Sequence, residues 1–169
     1  MRLRAPRVLP LLALAATFPL LAQSAWQPGH TGIGFSPQSK QWVRMVSSPR
    51  LAVEAGKRKV TVSFVIQDGL HINSHTPHSP FLIPTTLTLQ ADGGVHIAKI
   101  EYPQGTDYHF QFSPKDALSV YTGQFSLLVP LRARSGNYTL RGQLHYQACN
   151  DRTCNPPKTL PVTLHLTAR

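Results

Sequence analysis

From residue 59 onward apolar and polar residues alternate with a period of two, the pattern of strands that bury one face. In "KVTVSFVI" the side chains of Val60, Val62, Phe64 and Ile66 fall on one side. Leu87 and Leu89 do the same in "TTLTLQ", and Val95 and Ile97 follow the turn "ADGG". Phe125, Leu127, Val129 and Leu131 alternate through "QFSLLVPLR". Pro130 lies on the opposite face of that run and predicts an edge strand or a bulge, because proline cannot donate to a ladder. Tyr138, Leu140, Leu144 and Tyr146 share a parity, and Leu160, Val162, Leu164 and Leu166 close the chain. The turn signals "DG", "ADGG", "SPKD" and "RSGN" separate these runs, and no amphipathic helix of useful length lies between them. About seven or eight short antiparallel strands are predicted, an all-β fold. The expected architecture is an immunoglobulin-like antiparallel β-sandwich, with a barrel as the alternative.

The start of the chain departs from this pattern. "MRLRAPR" is basic, "VLPLLALAATFPLLA" is apolar, and "AQSA" offers small residues to a signal peptidase. Residues 1–24 are therefore expected to be a cleaved signal peptide rather than an anchor, since the apolar run is short of the roughly 20 residues of a span and holds Pro10 and Pro19. Residues 25–47, rich in Gly, Pro, Ser and Gln, are expected to be a linker or loosely ordered arm that Trp26 and Trp42 could pin to the domain. Residues 48–169 form the domain, in which no transmembrane segment is predicted.

Charge adds little. The formal net charge is +10, and Arg2, Arg4 and Arg7 leave with the signal, so about +7 stays. The remaining basic residues are scattered, with "GKRKV" the only tight cluster, and neither a basic helical face nor an aromatic RNA-binding motif is present. Nucleic acid is not an expected partner.

The chemistry lies in "YQACNDRTCNPPKTLP", which holds the two cysteines of the chain, Cys149 and Cys154. Export would let them persist as a disulfide. Cys149 has the opposite parity to Leu144 and Tyr146 and is expected to leave the main apolar face. One reading is a structural staple in a non-enzymatic binding module. A closed loop this short contributes only roughly 2 kcal/mol, at the low end for disulfides. The other reading is a working pair, close enough to exchange electrons and placed on a loop that a partner sulfur can reach. Arg152 favours a thiolate and Asp151 opposes it, so the local charges do not rank the sulfurs. Zinc is not expected, because two cysteines need two further ligands and no second spaced pair exists.

"YQACNDRTCNPP" resembles the cysteine segment of the amino-terminal periplasmic domain of the thiol:disulfide interchange protein DsbD. "GLHINSHTPHSPFLIPTTLTL" and "SVYTGQFSLLVPL" are similar to other segments of that group, and the likeness covers roughly residues 47–167. The resemblance implies an immunoglobulin-like periplasmic domain that acts as a thiol-disulfide oxidoreductase of the protein-disulfide reductase type, without a cofactor. Cys149 and Cys154 would be the redox pair, Cys154 forming the mixed disulfide with partners and Cys149 resolving it. Full-length members continue into a membrane electron carrier and a thioredoxin-like domain. A free-standing chain is expected to use periplasmic thiol-disulfide partners, including a separate membrane or thioredoxin-like electron donor. The family also shields its cysteines with an aromatic cap loop. The matching region "DYHFQFSPKD" does not repeat that loop residue for residue, and Tyr108, Phe110 and Phe112 are its cap candidates, with strand packing as the other reading.

A last alternative is a copper-binding module built on His71, His75 and His78 in "HINSHTPH". Pro77, Pro80 and Pro84 argue against a helix that would align these imidazoles, and surface or strand-end positions are the simpler expectation.

Overall fold

A computed structural model describes residues 40–48, 50–110 and 113–169. The expected signal peptide and the expected arm up to residue 39 lie outside the described residues. Twelve strands run through the described residues: β1 (Val43–Met45), β2 (Arg50–Val53), β3 (Gly56–Ile66), β4 (His71–Asn73), β5 (Thr86–Ala91), β6 (Val95–Ile97), β7 (Thr106–Phe110), β8 (Ser113–Thr122), β9 (Gln124–Ala133), β10 (Gly136–Tyr146), β11 (Ala148–Cys149) and β12 (Lys158–Ala168). They form three four-stranded sheets, ordered β1-β3-β9-β6, β2-β12-β10-β5 and β11-β4-β8-β7. Their pairings are antiparallel except for β2 with β12, which is parallel.

Alternation builds the first two sheets as predicted. Val60, Val62, Phe64 and Ile66 of β3 are buried, and the register sets Val62 opposite Leu127 and Phe64 opposite Phe125 on β9. The Phe64 and Phe125 rings stack with centroids 5.4 Å apart. Leu140, Leu144 and Tyr146 of β10 and Val162, Leu164 and Leu166 of β12 supply the facing side of one continuous core. Burying a leucine or phenylalanine side chain contributes roughly 1.5–3 kcal/mol, so this double layer of inward residues carries the sandwich.

Three local expectations change. Residues 43–45 fall in the segment expected to be an arm, yet they form β1, with Val43 buried and opposite Ile66 of β3. Trp42 packs against the core; its backbone N–H donates to the Tyr146 hydroxyl at 3.1 Å, and its carbonyl accepts from Gln67. Second, β9 is an interior strand between β3 and β6, so Pro130 does not mark an edge. The irregularity lies on the neighbouring segment: Ile97 opposes Leu131 while Glu101 opposes Leu128, so one extra residue is accommodated alongside the proline. Third, β2, β4, β7, β8 and β11 add strands that simple alternation does not announce. All three residues of β4 are buried, which removes any period of two.

The third sheet grows from one end of the sandwich through two glycines. Gly69 (φ 77°) turns the chain from β3 into β4, and Gly123 (φ 56°) joins β8 to β9 while its carbonyl accepts from Ile66 at 2.8 Å. Both backbones are left-handed, a conformation that glycine takes without steric cost. The third sheet is where both cysteines lie.

Candidate functional site

The long strand β10 stops at Tyr146, the ladder breaks at Gln147, and Ala148–Cys149 re-pair with β4 in the third sheet. Ala148 belongs to the main core, whereas Cys149 faces away from it, as its parity predicted. Cys149 is nevertheless buried, at 1% exposure, within the third sheet, paired with β4. The chain then turns back, Cys154 bridges to Cys149 across the hairpin, and the two sulfurs form a disulfide. Cys154 and residues 151–153 are exposed. The pair is thus asymmetric, one sulfur carried by a buried residue and the other by a residue open to solvent.

Turn chemistry fixes the hairpin. The Asn150 side-chain oxygen accepts from the backbone N–H groups of Arg152 and Thr153, each at 2.9 Å. Asn150 N–H donates to the Thr153 carbonyl at 2.9 Å, and Asn155 gives both its backbone and its side-chain N–H to the Ala148 carbonyl, at 2.8 and 3.0 Å. The Gln147 amide donates to the Asn155 carbonyl at 3.1 Å. An asparagine that replaces backbone partners in this way holds a tight turn without a helix or a long ladder. The turn signals read from the sequence did not include these asparagines, and the folded hairpin shows which groups they satisfy.

The register of the third sheet sets the surroundings. Cys149 is directly opposite His71 on β4, His71 is opposite Thr122 on β8, and Leu118 of β8 is opposite Tyr108 on β7. Directly opposed residues share a face of an antiparallel pair, and Leu118 and Thr122 share the parity of one strand, so Cys149, His71 and Tyr108 lie on one face. The His71 and Tyr108 rings meet with centroids 4.5 Å apart. The Tyr108 hydroxyl donates to Asp151 Oδ1, in the middle of the cysteine hairpin. That bond first, then burial and the carboxylate charge, raise the phenol above its ordinary range.

His71 is 2% exposed. Burial lowers its imidazole below the ordinary histidine range, and the Asp151 carboxylate pulls the other way. The folded protein therefore binds fewer protons here than the unfolded chain as pH falls below about 6.5. Stability attributable to neutral His71 is complete above that pH and is lost as pH drops through the depressed folded value. The thermal midpoint of the oxidised protein should fall on acidification from pH 6.5. His71→Phe, which keeps a ring beside Tyr108, should flatten that dependence.

The other candidates fall out as follows. Tyr108 comes to the cysteine hairpin. The Phe110 backbone ends β7, but its side chain and the whole of Phe112 lie outside the described residues. The three histidines diverge: His75 stacks on Tyr102 at 3.6 Å and its Nδ1 lies 3.0 Å from the Thr85 carbonyl. His78 Nδ1 contacts the Ala117 carbonyl at 3.1 Å, and its Nε2 is 3.6 Å from Asp107. Among the described residues no group of three histidine, cysteine or acidic side chains is placed to share one ion. Also among them, no helix is long and apolar enough to cross a membrane.

With this geometry in view, the likenesses to known proteins can be placed. Residues 43–166 match the family described as thiol:disulfide interchange protein DsbD, N-terminal. No curated protein matches the chain. The crystal structure of the Neisseria meningitidis DsbD N-terminal domain in its reduced form is 20% identical, covers 66% of this chain and 78% of that one, and gives a TM-score of 0.43. The complex between the DsbD N-terminal and PilB N-terminal domains of the same organism gives 19%, 62%, 73% and 0.41 in the same order. AggA, the major subunit of aggregative adherence fimbriae type I from Escherichia coli, gives 13%, 75%, 94% and 0.36. The family match spans most of the chain, including both cysteines and every strand from β1 through the body of β12. The chain belongs to the DsbD N-terminal family, as an immunoglobulin-like β-sandwich of the thiol-disulfide exchange class with its own disulfide-forming cysteine pair.

Proposed function

We propose that this protein relays reducing equivalents between periplasmic proteins through the Cys149–Cys154 dithiol and disulfide. The observation that carries the reading is the unequal exposure of the pair: Cys154 is open to solvent and Cys149 is buried directly behind it. An exchange centre needs one sulfur that a partner can reach and a second that only its neighbour can reach. In the reduced state the Cys154 thiolate attacks a partner disulfide, and one partner sulfur leaves as a thiolate. The Cys149 thiolate then attacks Cys154 Sγ, the mixed disulfide breaks, and the partner leaves with both its cysteines reduced. Two electrons have passed to the partner, and the pair is a disulfide again. A donor dithiol recharges it by the same steps in reverse, its thiolate attacking Cys154 Sγ with Cys149 as the leaving group.

Tyr108 serves this chemistry as part of a shield. Its bond to Asp151 ties the hairpin to β7 and restricts the approach to the sulfurs. The partners are thiol-disulfide proteins, and the donor is a membrane or thioredoxin-like protein or domain. The complex of a DsbD N-terminal domain with a PilB N-terminal domain supports a partner of that kind.

The test is direct transfer. Reduced protein is mixed with an oxidised thioredoxin-like domain, and thiols are trapped by acid and alkylation over time. The pair should become oxidised as the partner becomes reduced, one disulfide for one. Transfer no faster than that of a Cys154→Ser variant would remove the relay.

A further inference from the structure

We propose that in the reduced protein His71 accepts the proton of the Cys149 thiol and so holds this sulfur as the thiolate that resolves the mixed disulfide. The inference rests on the relay reading above and assigns a proton acceptor to its second step.

Among the residues whose side chains are described, His71 is the only imidazole, amine or carboxylate on a buried residue. Placing an ionisable group where water cannot solvate it is costly, and an apolar side chain would fill the same space at no such cost. That exception lies directly opposite Cys149, on the same face of the β11–β4 pair. Side chains so opposed have Cβ atoms about 4.5–5.5 Å apart, within reach of a proton transfer between sulfur and imidazole.

Burial opposes a charged ring, and an adjacent Cys149 thiolate together with the Asp151 carboxylate would offset that cost. On β11 Cys149 lies opposite His71 in register, from β7 the Tyr108 phenol meets the ring, and from the hairpin the Asp151 carboxylate acts on it; its opposite number on β8, Thr122, bears no charge. Asp151 is the one fixed negative charge in this set and favours the protonated ring. Tyr108 keeps that carboxylate in place through its hydroxyl. The elements come from distant parts of the chain, so no local motif reveals them.

The Cys149 S–H bond breaks and its proton passes to the imidazole. The thiolate attacks Cys154 Sγ, the bond from Cys154 to the partner breaks, and the partner sulfur leaves with the electron pair and takes its proton from the imidazolium or from water. In recharging, Cys149 departs as the thiolate and the ring takes up the proton given up by the donor thiol, directly or through water. His71 is thus uncharged beside the disulfide and charged beside the dithiol.

Ring-proton resonances of the full exported chain test this, with His71 assigned by loss of its signal in His71→Phe. The His71 midpoint should rise by at least ~1 pH unit on reduction, the coupling of a pair that shares a proton. The rise should vanish in Cys149→Ser. Equal midpoints in the oxidised and reduced proteins would overturn the proposal, whether or not His71→Phe folds. Kinetically, His71→Phe should slow resolution of a preformed mixed disulfide about 100-fold near neutral pH, the scale of general acid-base assistance, and should remove the imidazole inflection from the pH profile. An unchanged rate and profile would also overturn it. If the wild-type protein fails to exchange at all, the relay falls, while the ring titration still decides the proton link.

Discussion

Replacing Cys149 with serine is expected to turn the protein from a relay into a trap. Cys154 remains exposed on the hairpin and can still attack a partner disulfide, but the buried neighbour that should release the partner is gone. Mixed disulfides through Cys154 should accumulate in the periplasm, persist through non-reducing electrophoresis and disappear on reduction. Without the intramolecular attack, release depends on small thiols from solution, so the adduct's lifetime should lengthen by orders of magnitude. The effective concentration of a tethered group explains the scale, since well-oriented intramolecular reactions reach about 10⁵ M and more. The double variant Cys149→Ser, Cys154→Ser should give no adducts, and Cys154→Ser alone should give few, because Cys149 is buried. Adducts equally abundant through either cysteine would contradict the assignment of roles.

The second large effect concerns the fold that holds the hairpin. Gly142 sits in the middle of β10, opposite Val162 of β12 on one side and Leu89 of β5 on the other. A Cβ on this residue would approach the Thr88 backbone carbonyl carbon to 2.8 Å and the Leu89 Cα to 2.9 Å. These are backbone atoms of a paired strand, so no side chain can swing aside to make room. Gly142→Ala should therefore separate β10 from β5 and destabilise the protein by about 3 kcal/mol, the upper end for overpacking a well-filled interior. The corresponding fall in thermal midpoint is roughly 10 °C. A midpoint within a degree of wild type would show that the strands are not held so closely.

The two predictions touch different parts of what the sequence made readable. The sandwich was legible because its long strands obey one rule: Val60 to Ile66, Phe125 to Leu131 and Val162 to Leu166 each keep a period of two and bury the residues that it selects. β4 broke the rule because the third sheet buries His71, Ile72 and Asn73 together, so its strand character comes from tertiary packing. β1 was hidden for another reason. Three residues are too few to show a period, and Val43 enters the core only because β3 offers it a free edge.

The site divided along the same line. The cysteine pair was visible through spacing, an expected export signal and resemblance, all of which are local or compositional. The partners of the pair were not. His71 lies far from Cys149 in sequence and was weighed as a metal ligand or a surface or strand-end residue, whereas it is buried and strand register sets it opposite the buried sulfur. Tyr108 was singled out by composition as a shield, but its hydrogen bond reaches Asp151, 43 residues away. Register between distant strands is decided by burial over whole sheets. A reading of short windows therefore finds the reactive atoms before it finds the groups that tune them.

The reduction potential of the Cys149–Cys154 pair tests the central claim most directly. It is measured by equilibrating the protein with glutathione or dithiothreitol buffers and trapping the thiols. A working relay must be reducible by a thioredoxin-like donor and able to pass electrons on, so its potential should lie clearly above −300 mV, within the approximate span of −270 to −120 mV covered by exchange proteins. A potential below roughly −300 mV, typical of structural bridges, would make the hairpin disulfide a staple and contradict the relay.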